Sequence, residues 1–298
     1  YFKNILLNPI IDTIKLNNIY NIVGKTQELK IYDNVRDELK NIIDIERLHR
    51  KMAMKMMNPG DFLSLDLSYK FFLKINKILL DNNLNDLILN TDVLNNLQEF
   101  INDYNNNLLI NEMSGININN IKKSIFKKGL FKDIDVLQHK IDYEYDFLNK
   151  IGEELGKLVD QDKMDLKQND KEGHYFYLSK GKTNLFKNKL SKGGELNILD
   201  LKKKEVNIKL DTLKPTLLKS YTKIYSLVIS EHSNILTGLE SRMMNICLKH
   251  FSEMLQTYYN KYDQVLKNVS NTIAFIDYIM NISFVSVSNG YVKPEIID

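Results

Sequence analysis

A stretch of period-two alternation between Gly173 and Asp211 constrains the fold of this chain more than any other feature. Val206, Ile208 and Leu210 are apolar and alternate with polar residues, which predicts a half-buried β-strand. The pair Gly193-Gly194 is a turn signal within the same stretch. The sequence therefore predicts a small β-rich segment.

Helix-like patterns flank this segment on both sides. Apolar residues recur every three or four positions from Ile134 to Leu158, and again at Leu217, Tyr221, Ile224 and Val228. An outgoing helix of about 27 residues would be ~40 Å long. The sequence thus predicts a mainly α protein, an elongated helical bundle with two long arm helices that carry a small β-rich insert at their tip. Residues 1–160 plus 216–298 would form a discontinuous helical core domain, with residues 161–215 as the inserted domain.

The rest of the chain is also helical in pattern, and its 4 prolines suit long helices. Asp12 is a plausible N-cap, and a helical segment continues from Leu39 to Met56. Asn58-Pro59-Gly60-Asp61 predicts a turn with Asp61 as the next N-cap. The Asn-rich residues 105–120 predict a loop, and Ser288-Asn289-Gly290 predicts the end of the last helix. Two glycines of the outgoing helix predict a close helix–helix crossing; they are Gly152 and Gly156.

Positive charge concentrates in the insert. Residues 180–214 contain ten lysines and four acids, a net charge of +6, whereas the whole chain has only +3. The remainder therefore sums to −3. A cationic tip on a mildly acidic body favours a polyanionic partner such as a nucleic-acid backbone. The alternative is a solvated lysine-rich loop without a partner.

No catalytic constellation is evident, so the chain by itself is interpreted as non-enzymatic. Gly24-Lys25-Thr26 and Gly181-Lys182-Thr183 lack the earlier glycine of a phosphate-binding loop. The five histidines show no metal-ligand spacing. The single cysteine, Cys247, excludes a disulfide framework and favours an intracellular, reducing compartment. No apolar run approaches the ~20 residues of a membrane span, and we expect the chain to be part of a longer protein.

Several stretches together resemble the middle of MutS-type DNA mismatch-repair proteins, in which a clamp domain is inserted into a helical core or lever domain. Two stretches, Asp44–Leu48 and Asn58–Leu65, carry the most specific similarity. Further similarity lies in Leu6–Asp12, in Phe126–Asp135 before the arm helix, in Gly173–Ser179 at the first clamp strand, and in Ile273–Asp277 leading to Tyr291–Pro294.

The resemblance implies a clamp that holds double-stranded DNA by sequence-independent backbone contacts. The implied phosphate-contacting residues are Lys180, Lys182, Lys187, Lys189, Lys202, Lys203 and Lys204. It also implies that the longer protein is an ATPase that uses ATP and Mg²⁺, acts as a homo- or heterodimer and can have a MutL-like partner, with no membrane role. The arms would act as levers coupled to the ATPase domain.

Two other interpretations remain open from the residues alone. The chain could be a helical scaffold or adaptor that binds a protein partner through its arms, and its binding should then survive moderate salt. It could also be an RNA- or DNA-binding module of another helical family, for which sequence-specific binding by this chain is expected.

Overall fold

The computed structural model describes residues 2–169, 173–199 and 205–296. It divides into two compact units, one made of residues 1–118 and 249–298 and the other of residues 119–248. The α-helices are α1 Phe2–Leu7, α2 Thr13–Glu28, α3 Tyr32–Leu39, α4 Ile45–Ala53, α5 Pro59–Asp81, α6 Thr91–Asn107, α7 Lys132–Lys157, α8 Thr183–Leu190 and α9 Leu227–Asn289. The strands are β1 Asp165–Asn169, β2 Gly173–Ser179, β3 Glu195–Leu199, β4 Glu205–Lys209, β5 Lys214–Leu217 and β6 Tyr221–Tyr225. The prediction of a mainly helical chain with a small antiparallel β insert is confirmed.

Helix starts in the first unit follow local capping chemistry. The Asp12 carboxylate accepts from the amides of Ile14 and Lys15 at the start of α2, as predicted. At α5 the N-cap is Asn58 and Pro59 occupies the first turn, so the prediction of Asp61 as N-cap is wrong. Asp61 instead closes a capping box, because its carboxylate accepts from the Asn58 amide at 2.9 Å.

Two other boundaries in the first unit differ from the predicted ones. The segment predicted as one helix from Leu39 to Met56 is divided into α3 and α4, because residues 40–44 leave the helical conformation before the Asp44 cap. Residues 105–107 belong to α6 and not to the predicted loop. A run of asparagines is only a weak local signal for a loop. The buried Tyr104 keeps this end of α6 packed on the core.

An aromatic cluster forms the core of the first unit. The Phe100 ring lies 5.1 Å from Tyr104 and 4.9 Å from Tyr262 between centroids. Phe62 adds edge contacts to Tyr104 and to Phe251. Such tilted and edge-on pairs use the ring quadrupole and add to the burial of apolar area. Helices α5, α6 and the later part of α9 are therefore fixed to one another.

The second unit contains both sheets. The larger sheet has the strand order β1-β2-β6-β5, and β3 pairs with β4 in a separate hairpin. All neighbouring strands are antiparallel. Alternate residues of the large sheet, including Phe176, Leu178 and Ile224, are buried on its inner face.

The returning helix begins at Leu227 and not near Leu217, which corrects the sequence prediction. Tyr221 and Ile224, read as helical, lie in β6 between β2 and β5. The segment Tyr-Thr-Lys-Ile-Tyr is rich in β-branched and aromatic residues that favour strands. The spacing of its apolar residues also fits a helix, but the segment is too short for this spacing to distinguish a helix from a strand.

Gly152 and Gly156 lie where the chain that follows α7 packs closely against this helix. The prediction that they mark a helix–helix crossing is therefore wrong. A Cβ on Gly156 would lie 2.7 Å from the Cα of Lys163, and one on Gly152 would lie 2.8 Å from the carbonyl oxygen of Met164. The Met164 amide also donates to the Gly152 carbonyl at 2.8 Å. This close approach turns the chain back along α7 and sets the start of β1.

The predicted insert boundaries, residues 161 and 215, stay a prediction. The strands themselves run from Asp165 to Tyr225.

Candidate nucleic-acid interface

Three loops meet at one end of the four-stranded sheet. β1 starts opposite Tyr177, β2 ends with Ser179 opposite Tyr221, and β5 ends opposite Thr222. Because the strands are antiparallel, residues 158–164, 180–182 and 218–220 emerge at the same end. We call these the tip loops. They contain four lysines and two aspartates, so the tip has an excess of positive charge.

Side-chain contacts tie the tip loops to each other. The Lys182 ammonium donates to the Val159 carbonyl oxygen at 3.1 Å. The buried hydroxyls of Thr183 and Thr222 lie 2.7 Å apart and join the start of α8 to β6. Lys182 therefore has a structural role, and its half-buried ammonium is less available to a ligand than an exposed lysine.

The other predicted lysines that the structure describes fall into two groups. Lys180 is exposed in the tip loops, whereas Lys187 and Lys189 lie in the last turn of α8. None of the three makes an ion pair with any residue that the structure describes. At a helix C-terminus, lysines also stabilise the helix dipole, so this pair needs no ligand to explain it. Lys202, Lys203 and Lys204 lie outside the described residues.

Sequence reasoning missed the third tip loop. Lys219 is exposed there, in a tight turn closed by a 2.7 Å hydrogen bond from the Leu218 amide to the Tyr221 carbonyl. Leu217 is also exposed, to 50%. The interpretation of residues 217–228 as a helix hid this hairpin, although the β-branched and aromatic residues of 221–225 favour a strand.

The face of the sheet opposite Phe176 and Ile224 carries a set of aromatic and basic residues that the sequence reasoning did not find, of which Tyr175 and Lys223 are buried. We call it the tyrosine face, made of Tyr175, Tyr177, Tyr221, Lys167 and Lys223. Lys167 pairs across the strands with Tyr175, and Lys223 with Tyr177. The Tyr177 and Tyr221 ring centroids are 5.1 Å apart. The Lys167 Nζ lies 3.8 Å from the Tyr177 centroid, and the Lys223 Nζ lies 4.3 Å from that of Tyr175, within the range of cation–π attraction.

The opposite end of the sheet is held by a buried polar network centred on Glu240 of α9. Its carboxylate accepts from the Tyr145 hydroxyl at 2.5 Å and from the Gln168 side-chain amide at 3.0 Å. His174 Nε2 lies 3.7 Å from the same carboxylate. Burial lowers the pKa of His174, and the charge of Lys122 lowers it further while Glu240 opposes the shift. The network joins β1 and β2 to α7 and α9.

A second contact joins α7 to α9 in the same unit. His232 Nδ1 lies 2.6 Å from the Glu144 carboxylate. The His232 ring also packs on Phe147, with 4.2 Å between centroids. The sheet is thus fixed to the helices at one end, while its other end presents lysines to solvent.

This arrangement suits binding of phosphates. Exposed ammonium groups contact phosphate oxygens without reading the bases. Within residues 2–169, 173–199 and 205–296, no group of three or more His, Cys, Asp or Glu side chains is placed to hold a metal ion. The segment Gly24–Thr26, which resembles part of a phosphate-binding loop, lies inside α2, where Thr26 is buried. Among the described helices, none has the length and apolar character to cross a bilayer.

Comparisons with known proteins agree with this architecture. The family model described as MutS domain III matches residues 1–283. A putative DNA mismatch repair protein mutS homolog of Acanthamoeba polyphaga mimivirus is 29% identical over 316 residues, covering 100% of this chain and 28% of that protein. DNA mismatch repair protein MutS of Fusobacterium nucleatum is 25% identical, covering 99% of this chain and 30% of the relative. MutS of Borrelia turicatae is 22% identical with the same two coverages.

The chain spans about 30% of the length of these curated relatives. The family match, in contrast, extends over nearly all of the chain and includes both the helical unit and the β insert. The resemblance found in the sequence is therefore confirmed. The chain belongs to the MutS domain III family.

Proposed function

We propose that this chain is the DNA-clamp and lever part of a MutS-like mismatch-repair protein. The tip loops hold duplex DNA through sequence-independent phosphate contacts. One observation carries this proposal: antiparallel pairing brings Lys180 and Lys219 to the same end of the sheet, where both are exposed and without an ion pair among the described residues. The family match and the mismatch-repair names of the relatives support the same function.

The rest of the proposal concerns the longer protein. Its ATPase would bind ATP with Mg²⁺ outside this chain, and it would act as a dimer whose two clamps face one duplex, with a MutL-like protein as a further partner. Helices α7 and α9 would transmit nucleotide-driven motion to the insert. The buried Glu240 network supports this lever role, because it fixes the base of the sheet to both helices.

The test measures binding of the 298-residue chain to a labelled duplex at low salt and at ~200 mM salt. The decisive variant is Lys180→Glu with Lys219→Glu. A separate variant changes Lys202, Lys203 and Lys204 to Glu. The matched control is Lys77→Glu with Lys249→Glu, which reverses the same number of exposed charges on helices of the first unit.

The proposal requires weak binding that does not depend on sequence and that falls steeply with salt. The tip variant should lose at least about tenfold in affinity at low salt, while the control keeps most of the affinity. Equal binding by tip variant and control would show that the tip loops are not the DNA contact. Binding that survives ~200 mM salt unchanged would favour a protein scaffold instead.

A further inference from the structure

The tyrosine face is adjacent to the tip loops. Tyr221 lies at the tip end of β6, directly opposite Ser179, and Lys180 follows Ser179 in the chain. Tyr177 lies on the same face, two pairs further along the strands. Two half-buried aromatic rings therefore extend the lysine surface of the tip along the sheet.

The Tyr177 ring is covered from solvent by a flexible cation. Lys167 is exposed, yet its ammonium lies 3.8 Å from the Tyr177 centroid. Among the described residues, this ammonium makes no ion pair or hydrogen bond, so only cation–π attraction holds it over the ring, and it can leave when another ligand binds the ring. Tyr175, in contrast, is only 6% exposed and serves to pack the sheet.

We propose that Tyr177 and Tyr221 stack with unpaired nucleotides of the DNA that the tip holds, while Lys167 moves to a flanking phosphate. This inference rests on the proposed function. In a duplex the faces of the bases are covered by their neighbours, so only phosphates and groove edges are available. An unpaired base exposes its face, and an aromatic ring beside a cation is the usual site for it in proteins that bind single strands.

Charge on this face favours a polyanion over an apolar peptide. Lys167 is exposed on this face, and Lys180 and Lys219 are exposed in the adjoining tip loops. Asp165, on the same face, lies at the edge strand opposite Tyr177. The inner face of the sheet, where Phe176 and Ile224 are fully buried, shows the composition of a packing surface. The two faces therefore have different roles.

The experiment compares two double variants of the 298-residue chain. Tyr177→Phe with Tyr221→Phe keeps the aromatic rings, whereas Tyr177→Leu with Tyr221→Leu keeps apolar bulk and removes the ring faces. The probes are an oligothymidylate of about 12 nucleotides and an abasic oligomer with the same phosphates. Duplex binding, which depends on the tip lysines, reports that the insert is folded in each variant.

The expected result is that the leucine variant binds oligothymidylate at least about tenfold more weakly than the phenylalanine variant, since each stacked base contributes substantially. The two variants should bind the abasic oligomer and the duplex equally. If they bind oligothymidylate equally, the stacking inference is overturned, while lysine-dependent duplex binding would still support the clamp. If the wild-type chain binds neither duplex nor oligomer, both proposals fail.

Discussion

The Tyr145 hydroxyl donates a hydrogen bond to Oε1 of Glu240 across 2.5 Å, which joins helices α7 and α9 below the β insert. Glu240 is 5% exposed. Burial and the neighbouring carboxylate raise the pKa of Tyr145, so the hydroxyl remains the donor at neutral pH. The buried carboxylate accepts hydrogen bonds from Tyr145 and Gln168, which offset part of the cost of its burial.

Tyr145→Phe should therefore lower the free energy of unfolding of the second unit by ~1–2 kcal/mol, because the buried carboxylate loses a donor. Labelling of Cys247 in increasing urea measures this unit directly. Its thiol is fully buried, and burial raises the pKa of Cys247 to about 11. The control is Tyr177→Phe in the same unit, because the Tyr177 hydroxyl makes no hydrogen bond with any residue that the structure describes. An equal, small effect of both substitutions would mean that the Glu240 contact adds nothing to stability.

Gly156→Ala should destabilise the second unit by ~1–3 kcal/mol although alanine favours helices, because the added methyl group meets the Lys163 backbone at 2.7 Å. Gly238→Ala is the matched control in the same unit, since nothing lies within 4 Å of its added Cβ. That substitution should stabilise by ~0.5–1 kcal/mol. Urea unfolding followed by Cys247 labelling compares the two. Stabilisation by both alanines would contradict the close approach of residues 161–164 to α7.

His49 should make the first unit sensitive to acid. It bonds to the Tyr69 hydroxyl at 2.6 Å, and burial lowers the pKa of His49 from 6.5 to about 4. The unfolded chain therefore takes up a proton at higher pH than the folded chain does. The neutral, buried His49 side chain therefore contributes fully to the stability of the folded chain above pH 6.5, and this contribution is lost as the pH falls towards 4.

At about pH 5 the wild-type chain should have lost about 2 kcal/mol relative to neutral pH through this group. His49→Gln keeps a hydrogen-bonding side chain that does not titrate and should remove that part of the loss. Urea unfolding followed by circular dichroism at both pH values measures it. The same pH-dependent loss in the variant would show that other groups cause the acid sensitivity.

The salt dependence of duplex binding should report how many phosphates the tip lysines contact. Each contact contributes about −0.9 to the slope of log K against log salt for duplex DNA. Lys180→Gln with Lys219→Gln should therefore make the slope about 1.8 less steep. Lys77→Gln with Lys249→Gln is the control and should leave the slope unchanged. If the slope of log K against log salt is the same for the tip variant and the wild-type chain, Lys180 and Lys219 do not contact phosphates.

The sequence by itself determined the helical class, the β insert and the family. Long runs of one period, such as residues 134–158, specify a helix because burial of one face repeats every turn. The alternation at Val206 and Ile208 specified β4 for the same reason with period two. The excess of lysines over acidic residues in 180–214 follows directly from the sequence.

Only the tertiary structure decided which residues come together. Tyr221–Tyr225 is too short for its period to be certain, and pairing with β2 and β5 makes it a strand. That pairing brings Lys219 to the same end of the sheet as Lys180 and places Tyr221 beside Tyr177, although about 40 residues separate the members of each pair in the chain. The register of the strands and the close approach of residues 161–164 to α7 depend on contacts between residues that are distant in sequence, and no local pattern contains them. These contacts decide which of the lysines lie on one surface.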